Sequence, residues 1–411
     1  MNGAVFTCRS CGAAHTRCVL DLGTTPLANA LLSEIDLSNA EPSFPLVLVF
    51  CPTCSLIQIT ETVPPEQLFR NYLYFSSFSD TMLAHAAALV EQLVAARSLG
   101  ADSLVIEAAS NDGYLLKNYV SRGISVLGIE PAVNIAKLAV ERGIATMPEF
   151  FGEIVASSLA REGRRADVFH ANNVLAHVAD LNGFVHGIAG VLKPSGVAVI
   201  EVPYVRDMIE KLEFDTIYHE HLCYFSLRAL DHLFRRNGLS IVDVERLAIH
   251  GGSLRIFAVP AGAKEAPTAR LLALVEEEQR AGIDDEAYYR DFADRVWALR
   301  DALRENLREL KNRGKSIAAY GASAKGSTLL NVFGLAAGVL DFVVDRSPHK
   351  QGHYTPGTHL AIAPPERLLE AMPDYVLLLT WNFKDEILAQ QAEYRSRGGR
   401  FIIPVPEVLV V

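Results

Sequence analysis

The sequence predicts an α/β protein with two units of alternating strands and helices behind a small cysteine-containing segment. Short apolar segments such as "SLVIEAA", "SVLGIE", "ADVFHANNV" and "GVAVIEVP" alternate with helical segments in the middle of the chain. The alternation returns in "KSIAAYG", "VLDFVVD", "YVLLLT" and "RFIIPVP" near the end. This order is typical of doubly wound parallel sheets. A length of 411 residues also favours several domains over one core.

The N-terminal segment carries four of the six cysteines in two pairs of identical spacing. These are Cys8, Cys11, Cys51 and Cys54. A two-residue gap lets both sulfur atoms of a pair face one metal, and two such pairs fill a tetrahedral zinc site without an open position. We therefore predict a structural zinc site. Redox chemistry and a chance pair of reduced motifs are weaker alternatives, and Cys18 and His15 are less suitable ligands.

Composition and charge favour a globular protein with a small-molecule ligand. The formal net charge is −10 and no stripe of Lys and Arg is present, which argues against nucleic acid as a partner. No apolar run is long enough to span a bilayer, so no membrane association is expected. The first residues do not resemble a secretion signal, and we expect a cytoplasmic protein.

Four segments follow from these patterns. We predict a zinc-binding domain at 1–65, a central domain at 66–260, a charged helical connector at 261–310 and a Rossmann-like domain at 311–411. One amphipathic helix is expected from Met82 to Leu99, and "LSIVDVERL" with "GGSLRIFAVP" should form a hairpin at a sheet edge.

The turn after the first central strand, "IEAASNDGYLL", is the expected ligand site, because ligands bind at the carboxyl ends of parallel strands. It lacks the GxGxxG pattern of dinucleotide sites, so an adenosyl ligand without phosphate suits it better. Glu130 ends the second strand, where an acid can accept hydrogen bonds from ribose hydroxyls. The arrangement resembles a class I S-adenosylmethionine methyltransferase. The predicted cofactor-binding residues are Tyr72, Glu107, Ser110, Asn111, Gly113, Glu130, Pro131, Asn172 and Asn173.

A second candidate site is the stretch "DTIYHEHLCYFS", which follows the fifth parallel strand. It places two histidines, a glutamate and two tyrosines within seven positions, a high density of groups that exchange protons. Ser226 is a suitable N-cap for the helix that follows and stops at Gly238. The stretch should therefore be a loop near the ligand-binding edge of the sheet.

Taken together, the motifs resemble those of one family. They are "CRSCG", "CPTC", "YLYFSSFSDTM", "EAASNDGYLL", "YHEHLCYFS", "HGGSLRIF" and "AAYGASAKGSTLLN", in this order along almost the entire chain. The family is that of the three-domain sugar C-methyltransferases of deoxysugar pathways. The resemblance implies a zinc-binding domain, a class I methyltransferase domain that binds S-adenosylmethionine, and a Rossmann-like C-terminal domain. It also implies a nucleotide-linked 4-keto sugar as substrate, expected to carry dTDP.

The resemblance assigns His221 as the base, with Tyr218, Glu220 and His177 in the same site. Removal of a proton next to a ketone creates an enolate, which requires both a base and a polar partner for the oxygen. Histidine is suited to this because its usual pKa of about 6.5 leaves it neutral but basic at cellular pH. Glu220 could orient the ring in a loop conformation. The residues expected to bind substrate are His219, Tyr224, Ser253, Tyr320 and Lys325.

Three other functions fit parts of the sequence. Methyl transfer to an amine or hydroxyl of a sugar or other metabolite would not require a carbon base. A zinc-ribbon adaptor for nucleic acid conflicts with the acidic charge. An NAD-dependent oxidoreductase lacks the dinucleotide pattern.

Overall fold

The computed structural model describes residues 6–69, 77 and 80–411. Its first part is a small antiparallel sheet followed by a short helix. The elements are β1 (Arg17–Pro26), β2 (Ser43–Phe50), β3 (Ile57–Ile59) and α1 (Pro65–Phe69). β1 pairs with β2, and β2 pairs with β3. One cysteine pair precedes β1 and the other lies in the turn between β2 and β3.

The middle of the chain alternates strand and helix as predicted. The elements are α2 (Asp80–Arg97), β4 (Leu104–Ala108), α3 (Lys117–Val120), β5 (Ser125–Ile129), α4 (Val133–Glu141), β6 (Thr146–Met147), α5 (Glu153–Arg161), β7 (Ala166–Asn172), α6 (Leu181–Val191), β8 (Leu192–Pro203), α7 (Val205–Glu210), β9 (Cys223–Tyr224), α8 (Leu227–Arg236), β10 (Leu239–Leu247) and β11 (Ser253–Pro260). The sheet order is β10-β11-β8-β7-β4-β5-β6. The strands from β4 to β8 run parallel, and the expected hairpin of β10 and β11 is confirmed at the edge.

The last part of the chain begins with two long helices and continues as a second α/β unit. The elements are α9 (Ala269–Ala281), α10 (Phe292–Asn312), β12 (Ile317–Tyr320), α11 (Ala324–Phe333), β13 (Val343–Val344), β14 (Ile362–Ala363), α12 (Arg367–Ala371), β15 (Tyr375–Leu378), α13 (Lys384–Gln390), α14 (Ala392–Ser396), β16 (Arg400–Ile403) and β17 (Leu409–Val410). The sheet order is β14-β13-β12-β15-β16-β17, and β17 is antiparallel to β16. The α/β class with two Rossmann-like sheets is thereby confirmed.

Helix ends follow local backbone chemistry. The helix predicted from Met82 to Leu99 begins two residues earlier and ends at Arg97. Ser98 has φ +50°, a left-handed conformation that stops the helix. Ser226 caps α8 as expected, because its hydroxyl accepts a hydrogen bond from the Ala229 N–H at 3.0 Å.

Strand β9 lies in the middle of the chain but belongs to the N-terminal sheet. Its order is β1-β2-β3-β9, and Ile57 and Gln58 of β3 face Tyr224 and Cys223 of β9. The N–H of Ile59 also donates to the Leu222 carbonyl at 3.0 Å. The candidate catalytic loop, residues 215–226, is therefore connected by backbone hydrogen bonds to the cysteine-containing part of the chain.

A continuous apolar core joins the parts. Phe50 of β2 packs against Tyr289 with ring centroids 5.1 Å apart. Phe214, which precedes the catalytic loop, stacks on Phe333 of α11 at 4.6 Å and 16°. Burial of each aromatic side chain of this kind contributes roughly 1.5–3 kcal/mol, so both contacts stabilise the packing between parts of the chain that are distant in sequence. Among the helices of the described residues, none has the length and apolar character needed to cross a bilayer.

Candidate functional site

The four predicted metal ligands converge on one point. Their sulfur atoms all lie within 4.8 Å of one another, with Cys8 Sγ 3.6 Å from Cys54 Sγ and Cys11 Sγ 3.5 Å from Cys51 Sγ. A tetrahedral zinc with Zn–S bonds of about 2.3 Å requires sulfur atoms about 3.8 Å apart. The spacing of the sulfur atoms therefore fits zinc, and the burial of three of the four thiols fits a closed structural site.

Two similar turns shape this cluster. In the first, the Gly12 N–H donates to the Cys8 carbonyl at 2.9 Å, and in the second the Ser55 N–H donates to the Cys51 carbonyl at 2.8 Å. Gly12 and Ser55 both have positive φ, +73° and +60°. The sequence analysis missed Gln58, a buried residue whose Nε2 lies 3.1 Å from Cys8 Sγ and donates to it. Such outer contacts orient the metal ligands and lower the charge on sulfur.

The turn after β4 has a strained backbone. Ala109 and Asn111 have φ of +52° and +50°, and Gly113 has φ +79°. Positive φ is uncommon outside glycine and costs on the order of 1–3 kcal/mol, and it concentrates at ligand sites. In other Rossmann-like sites, glycines let the backbone approach the ligand closely. This turn can do the same without the glycine-rich pattern.

Glu130 holds this turn in place. Its Oε2 accepts from the Asn111 N–H and its Oε1 from the Ala132 N–H, both at 2.9 Å. Burial raises the pKa of Glu130, and the two N–H groups act in the opposite direction. A carboxylate has about four acceptor positions, so Glu130 retains capacity for ribose hydroxyls. The structure adds a supporting role that the sequence analysis did not foresee.

The predicted cofactor residues lie at the carboxyl ends of β4, β5 and β7, which are neighbours in the sheet. Several of their buried oxygen atoms have no hydrogen-bond partner among the described residues: Glu107 Oε2, Ser110 Oγ, Asn172 Oδ1 and Asn173 Oδ1. Burial, with the nearby charge of Glu130, raises the pKa of Glu107 well above its usual range. Unpaired buried acceptors are costly, and they fit a polar ligand with several donors. Pro131 follows Glu130 directly, and Tyr72 lies outside the described residues.

The catalytic loop brings three of the four predicted catalytic side chains together. His221 lies with its ring centroid 4.1 Å from that of Tyr218 and 4.8 Å from that of His177. The His221 Nδ1 is 2.9 Å from the Thr216 carbonyl, and its Nε2 is 2.9 Å from the Tyr218 hydroxyl. A carbonyl can only accept, so Nδ1 carries the proton. In the neutral ring the lone pair is therefore on Nε2, and Tyr218 donates to it.

The side chain of Glu220 points away from His221. Its Oε1 accepts from Asn29 Nδ2 at 2.6 Å, in the N-terminal part. The predicted orienting role of Glu220 is thus taken by the Thr216 carbonyl, because the Glu220 carboxyl is bonded to Asn29 instead. Burial raises the pKa of Glu220 to about 7 from its usual 4.5, with the Asn29 hydrogen bond acting against this.

His177 is a neutral neighbour of His221. Its Nδ1 lies 2.7 Å from the Glu220 carbonyl and donates to it. Burial lowers the pKa of His177 to about 4, and hydrogen bonds to backbone carbonyls only partly oppose this. A neutral ring at this distance does not repel positive charge on His221. His221 can therefore accept a proton without a like charge beside it.

The five predicted substrate residues occupy different surroundings. His219 is buried, with its Nε2 3.1 Å from the Pro45 carbonyl, which places it in a contact with the N-terminal sheet. Tyr224 is buried and donates to the Thr216 carbonyl at 3.3 Å. Ser253 begins β11 and donates to the Ile249 carbonyl at 3.2 Å. Tyr320 ends β12, and its hydroxyl is buried.

Lys325 lies in the first turn of α11 and points toward the middle part of the chain. Its Nζ is 3.9 Å from Glu213 Oε2 and 4.9 Å from the centroid of the Trp381 ring. The sequence analysis missed Glu213 and Trp381 as neighbours of this lysine. The ammonium group is therefore near the junction with the catalytic loop, where an anionic ligand would compete with a carboxylate for it.

Models of three protein families match successive parts of the chain. A model described as a zinc binding domain matches residues 8–69, a methyltransferase domain matches 82–244, and a C-methyltransferase C-terminal domain matches 248–406. C-methyltransferase NovU of Streptomyces niveus is 38% identical over 404 residues, which cover 98% of this chain and 96% of the relative.

Other similarities are partial. A ubiquinone biosynthesis O-methyltransferase of Bartonella tribocorum is 23% identical over 157 residues, 34% of this chain and 61% of the relative. Among solved structures, magnesium protoporphyrin IX methyltransferase from Synechocystis with bound S-adenosylmethionine has a TM-score of 0.33 and 17% identity, covering 43% of this chain and 79% of that one.

The fold and the site define an S-adenosylmethionine-dependent methyltransferase with a structural zinc site. The match to NovU over nearly the full length of both proteins makes the assignment more specific. The chain belongs to the C-methyltransferase family in which a zinc-binding domain, a methyltransferase domain and a C-methyltransferase C-terminal domain follow one another. The unpaired oxygen atoms at the ends of β4 and β7 are acceptors that suit the hydroxyl and amino donors of an adenosyl cofactor.

The zinc site predicts a link between metal and loop. Cys51→Ser should reduce zinc below about one per chain and should also increase amide hydrogen exchange at 222–224, because β9 pairs with the strand that follows this cysteine pair. Cys18→Ser is the matched control, since Cys18 is exposed on β1. Metal analysis and exchange mass spectrometry measure both effects. Unchanged protection of 222–224 in a zinc-free protein would contradict the link.

Glu130→Ala should weaken S-adenosylmethionine binding at least tenfold. The substitution removes a charged acceptor and releases the Asn111 N–H, and hydrogen bonds to charged groups contribute about 1.5–3 kcal/mol. Calorimetric titration measures the affinity. Glu149→Ala, at an exposed position, should bind as the wild type does. Equal affinity in Glu130→Ala would exclude Glu130 from the cofactor site.

Glu220→Gln should increase stability at high pH relative to the wild type. The pKa of Glu220 is about 7 in the folded protein, against a usual value of 4.5. The protonated carboxyl therefore stabilises the folded state at pH 4.5, and this contribution is lost as the pH rises to 7. Glutamine cannot ionise and can still accept from Asn29. The free energy of unfolding of the variant, relative to that of the wild type, should be higher at pH 8 than at pH 5 by on the order of 1–3 kcal/mol.

Chemical denaturation of both proteins at pH 5 and pH 8 measures this difference. Glu149→Gln, an exposed carboxylate, serves as the control and should show no such change. A variant that is less stable than the wild type at pH 8 would show that the Glu220 carboxylate is charged and needed in the folded state.

Proposed function

We propose that the protein methylates a carbon next to the ketone of a nucleotide-linked 4-keto deoxysugar, with an enolate as intermediate. The observation that carries the proposal is the state of His221: its Nδ1 proton is held by the Thr216 carbonyl, which leaves the lone pair on Nε2. A neutral imidazole with a fixed lone pair is what abstraction of a proton from carbon requires. Methyl transfer to nitrogen would not need it.

The proposed reaction begins with transfer of a proton from the sugar carbon to His221 Nε2. The Tyr218 hydroxyl, 2.9 Å from Nε2, must turn away from it as the proton arrives, and it can then donate to the enolate oxygen. The carbon forms a bond to the methyl group and the sulfur–methyl bond breaks. When bound, S-adenosylmethionine supplies this electrophilic methyl group on a positively charged sulfur.

The neighbours of His221 support its role. His177 stays neutral near pH 7, since burial lowers its pKa to about 4, and the charge formed on His221 meets no second imidazolium. The hydrogen bond from the Nδ1–H to the Thr216 carbonyl becomes stronger once the ring is charged, so the carbonyl stabilises the imidazolium. The loop also follows β8, whose carboxyl end lies beside that of β7 and thus near the predicted cofactor residues.

The nucleotide part of the substrate is proposed to contact the C-terminal part of the chain, with dTDP as the expected nucleotide. Lys325 and the N–H groups at the start of α11 provide positive potential for a diphosphate. Ser323 already caps this helix through the Gly326 N–H at 3.1 Å. Tyr320, with its buried hydroxyl, ends the strand that leads into the same turn. The NovU relative is named as a C-methyltransferase and its name does not specify a sugar.

His221→Asn should lose at least two orders of magnitude in turnover while it still binds S-adenosylmethionine. General-base catalysis contributes about 10²–10⁴-fold, and asparagine has no basic lone pair at this position. The assay uses labelled S-adenosylmethionine with a panel of nucleotide-linked 4-keto sugars. His186→Asn, an exposed histidine on α6, should retain wild-type turnover.

Deuterium exchange separates proton removal from methyl transfer. With S-adenosylhomocysteine in place of the methyl donor, the wild type should exchange the hydrogen next to the ketone with deuterated water, and His221→Asn should not. Exchange that persists in His221→Asn but disappears in His177→Ala or Tyr218→Phe would assign the base to one of those residues. Methylation of an amine or hydroxyl without any exchange would favour the alternative N- or O-methyltransferase.

A further inference from the structure

A short helical turn, Phe214–Thr216, connects the C-terminal part of the chain to the proposed base. Its residues contact three different places, and the Thr216 carbonyl also accepts from the Tyr224 hydroxyl at 3.3 Å. Phe214 stacks on Phe333 of α11 at 4.6 Å. The Asp215 Oδ2 accepts from the Trp381 Nε1 at 2.7 Å, and the Thr216 carbonyl accepts from His221 Nδ1 at 2.9 Å. Two contacts to one part of the molecule therefore set the position of the third.

Asp215 is an unusual residue to keep at this junction. It is fully buried, and its Oδ1 has no hydrogen-bond partner among the described residues. Burial raises the pKa of Asp215, while Lys325 and the Trp381 N–H act in the opposite direction. Burying a carboxylate costs free energy that an apolar side chain of similar size would not cost. Besides the attraction of Lys325, it gains a directional hydrogen bond to Trp381.

The nearby charges do not replace that bond. Lys325 lies 4.9 Å from the centroid of the Trp381 ring and 3.9 Å from Glu213 Oε2, beyond hydrogen-bond distance of either group. Ionic attraction of this kind depends weakly on angle, whereas an N–H donor fixes both distance and direction. Together with the Phe214–Phe333 stack, Trp381 therefore helps to determine where the backbone of the turn, and hence the Thr216 carbonyl, is located.

We infer that Asp215 and Trp381 are positioning residues that fix the Nδ1–H tautomer of His221 through the Thr216 carbonyl. The inference rests on the proposed function in that His221 is taken as the base. If the carbonyl moves away, the ring proton is no longer held on Nδ1, and the tautomer with its proton on Nε2 has no lone pair facing Tyr218. The C-terminal part, proposed to hold the nucleotide, would then also control whether His221 has its lone pair on Nε2.

Three variants and one control test this inference. Trp381→Phe keeps an aromatic ring and removes the N–H donor. Asp215→Leu removes the acceptor, and Asp215→Asn retains an amide oxygen that can accept from Trp381. Trp297→Phe makes the same change at the other tryptophan, on α10, where the ring contacts Arg300.

The direct measurement is the ¹⁵N spectrum of histidine-labelled protein, with the His221 signals identified by their loss in His221→Asn. The wild type, Asp215→Asn and Trp297→Phe should show a protonated Nδ1 and an unprotonated Nε2 in the neutral ring. Trp381→Phe and Asp215→Leu should show a mixture of tautomers. Should Asp215→Leu fail to fold, Trp381→Phe together with Asp215→Asn decides the question.

Proton exchange at the substrate carbon is the second measurement. Trp381→Phe should slow it at least tenfold with S-adenosylhomocysteine bound, and S-adenosylmethionine affinity should stay within twofold of the wild type. An unchanged His221 tautomer in folded Trp381→Phe would overturn the inference, whatever the exchange rate. If His221→Asn still exchanges substrate hydrogen, the proposed function fails instead, and the spectra still report whether Trp381 sets the tautomer.

Discussion

The pairing of β9 with β3 is the interaction on which the proposed active site depends. β9 is two residues long, and a strand of that length has no stability of its own. It exists because β3 offers it an edge, and β3 is positioned by the Cys51 and Cys54 turn that folds it back on β2. Zinc bound by the four thiolates would close that turn. A metal site with no open position for catalysis can thus still determine the geometry of the catalytic loop, through one sheet.

The same loop is held from other sides by contacts that differ in kind. His219 donates to the Pro45 carbonyl, Glu220 accepts from Asn29, and the His221 ring donates to Thr216. Consecutive side chains therefore contact the N-terminal part or the neighbouring turn. The second ring nitrogen of His221, Nε2, lies beside the Tyr218 hydroxyl. This arrangement limits rotation of the imidazole. A base that is fixed before substrate arrives avoids the reorganisation cost that a mobile side chain would add to the barrier.

The sequence predicts the parts of this structure that depend on local pattern. The spacing of the cysteines was sufficient for the metal cluster, and the alternation of apolar segments was sufficient for both parallel sheets. Partners distant in sequence were not predictable: Asn29 lies 191 residues from Glu220, and Asp215 lies 166 residues from Trp381. Neither pair has a signal in the surrounding sequence. The positive φ of Ala109 was not predictable either, because glycine is the residue whose presence in a sequence indicates that conformation.

Two buried acids at the carboxyl edge of the central sheet show how one fold separates support from ligand binding. Burial alone would raise the pKa of Glu201, but hydrogen bonds and charge from His85 and Arg255 bring it below its usual range, and Arg255 Nη2 lies 2.6 Å from the carboxylate. Glu107, on the neighbouring part of the sheet, has a raised pKa and an oxygen without a partner among the described residues. Glu201 is thus satisfied by the protein itself. The unpaired oxygen of Glu107 can instead accept a hydrogen bond from a ligand. Opposite pKa shifts in carboxyl groups with different surroundings are one way in which a protein gives different roles to the same side chain. Glu201 is therefore part of the framework, whereas the unpaired oxygen of Glu107 supports the cofactor contact that we predict for it.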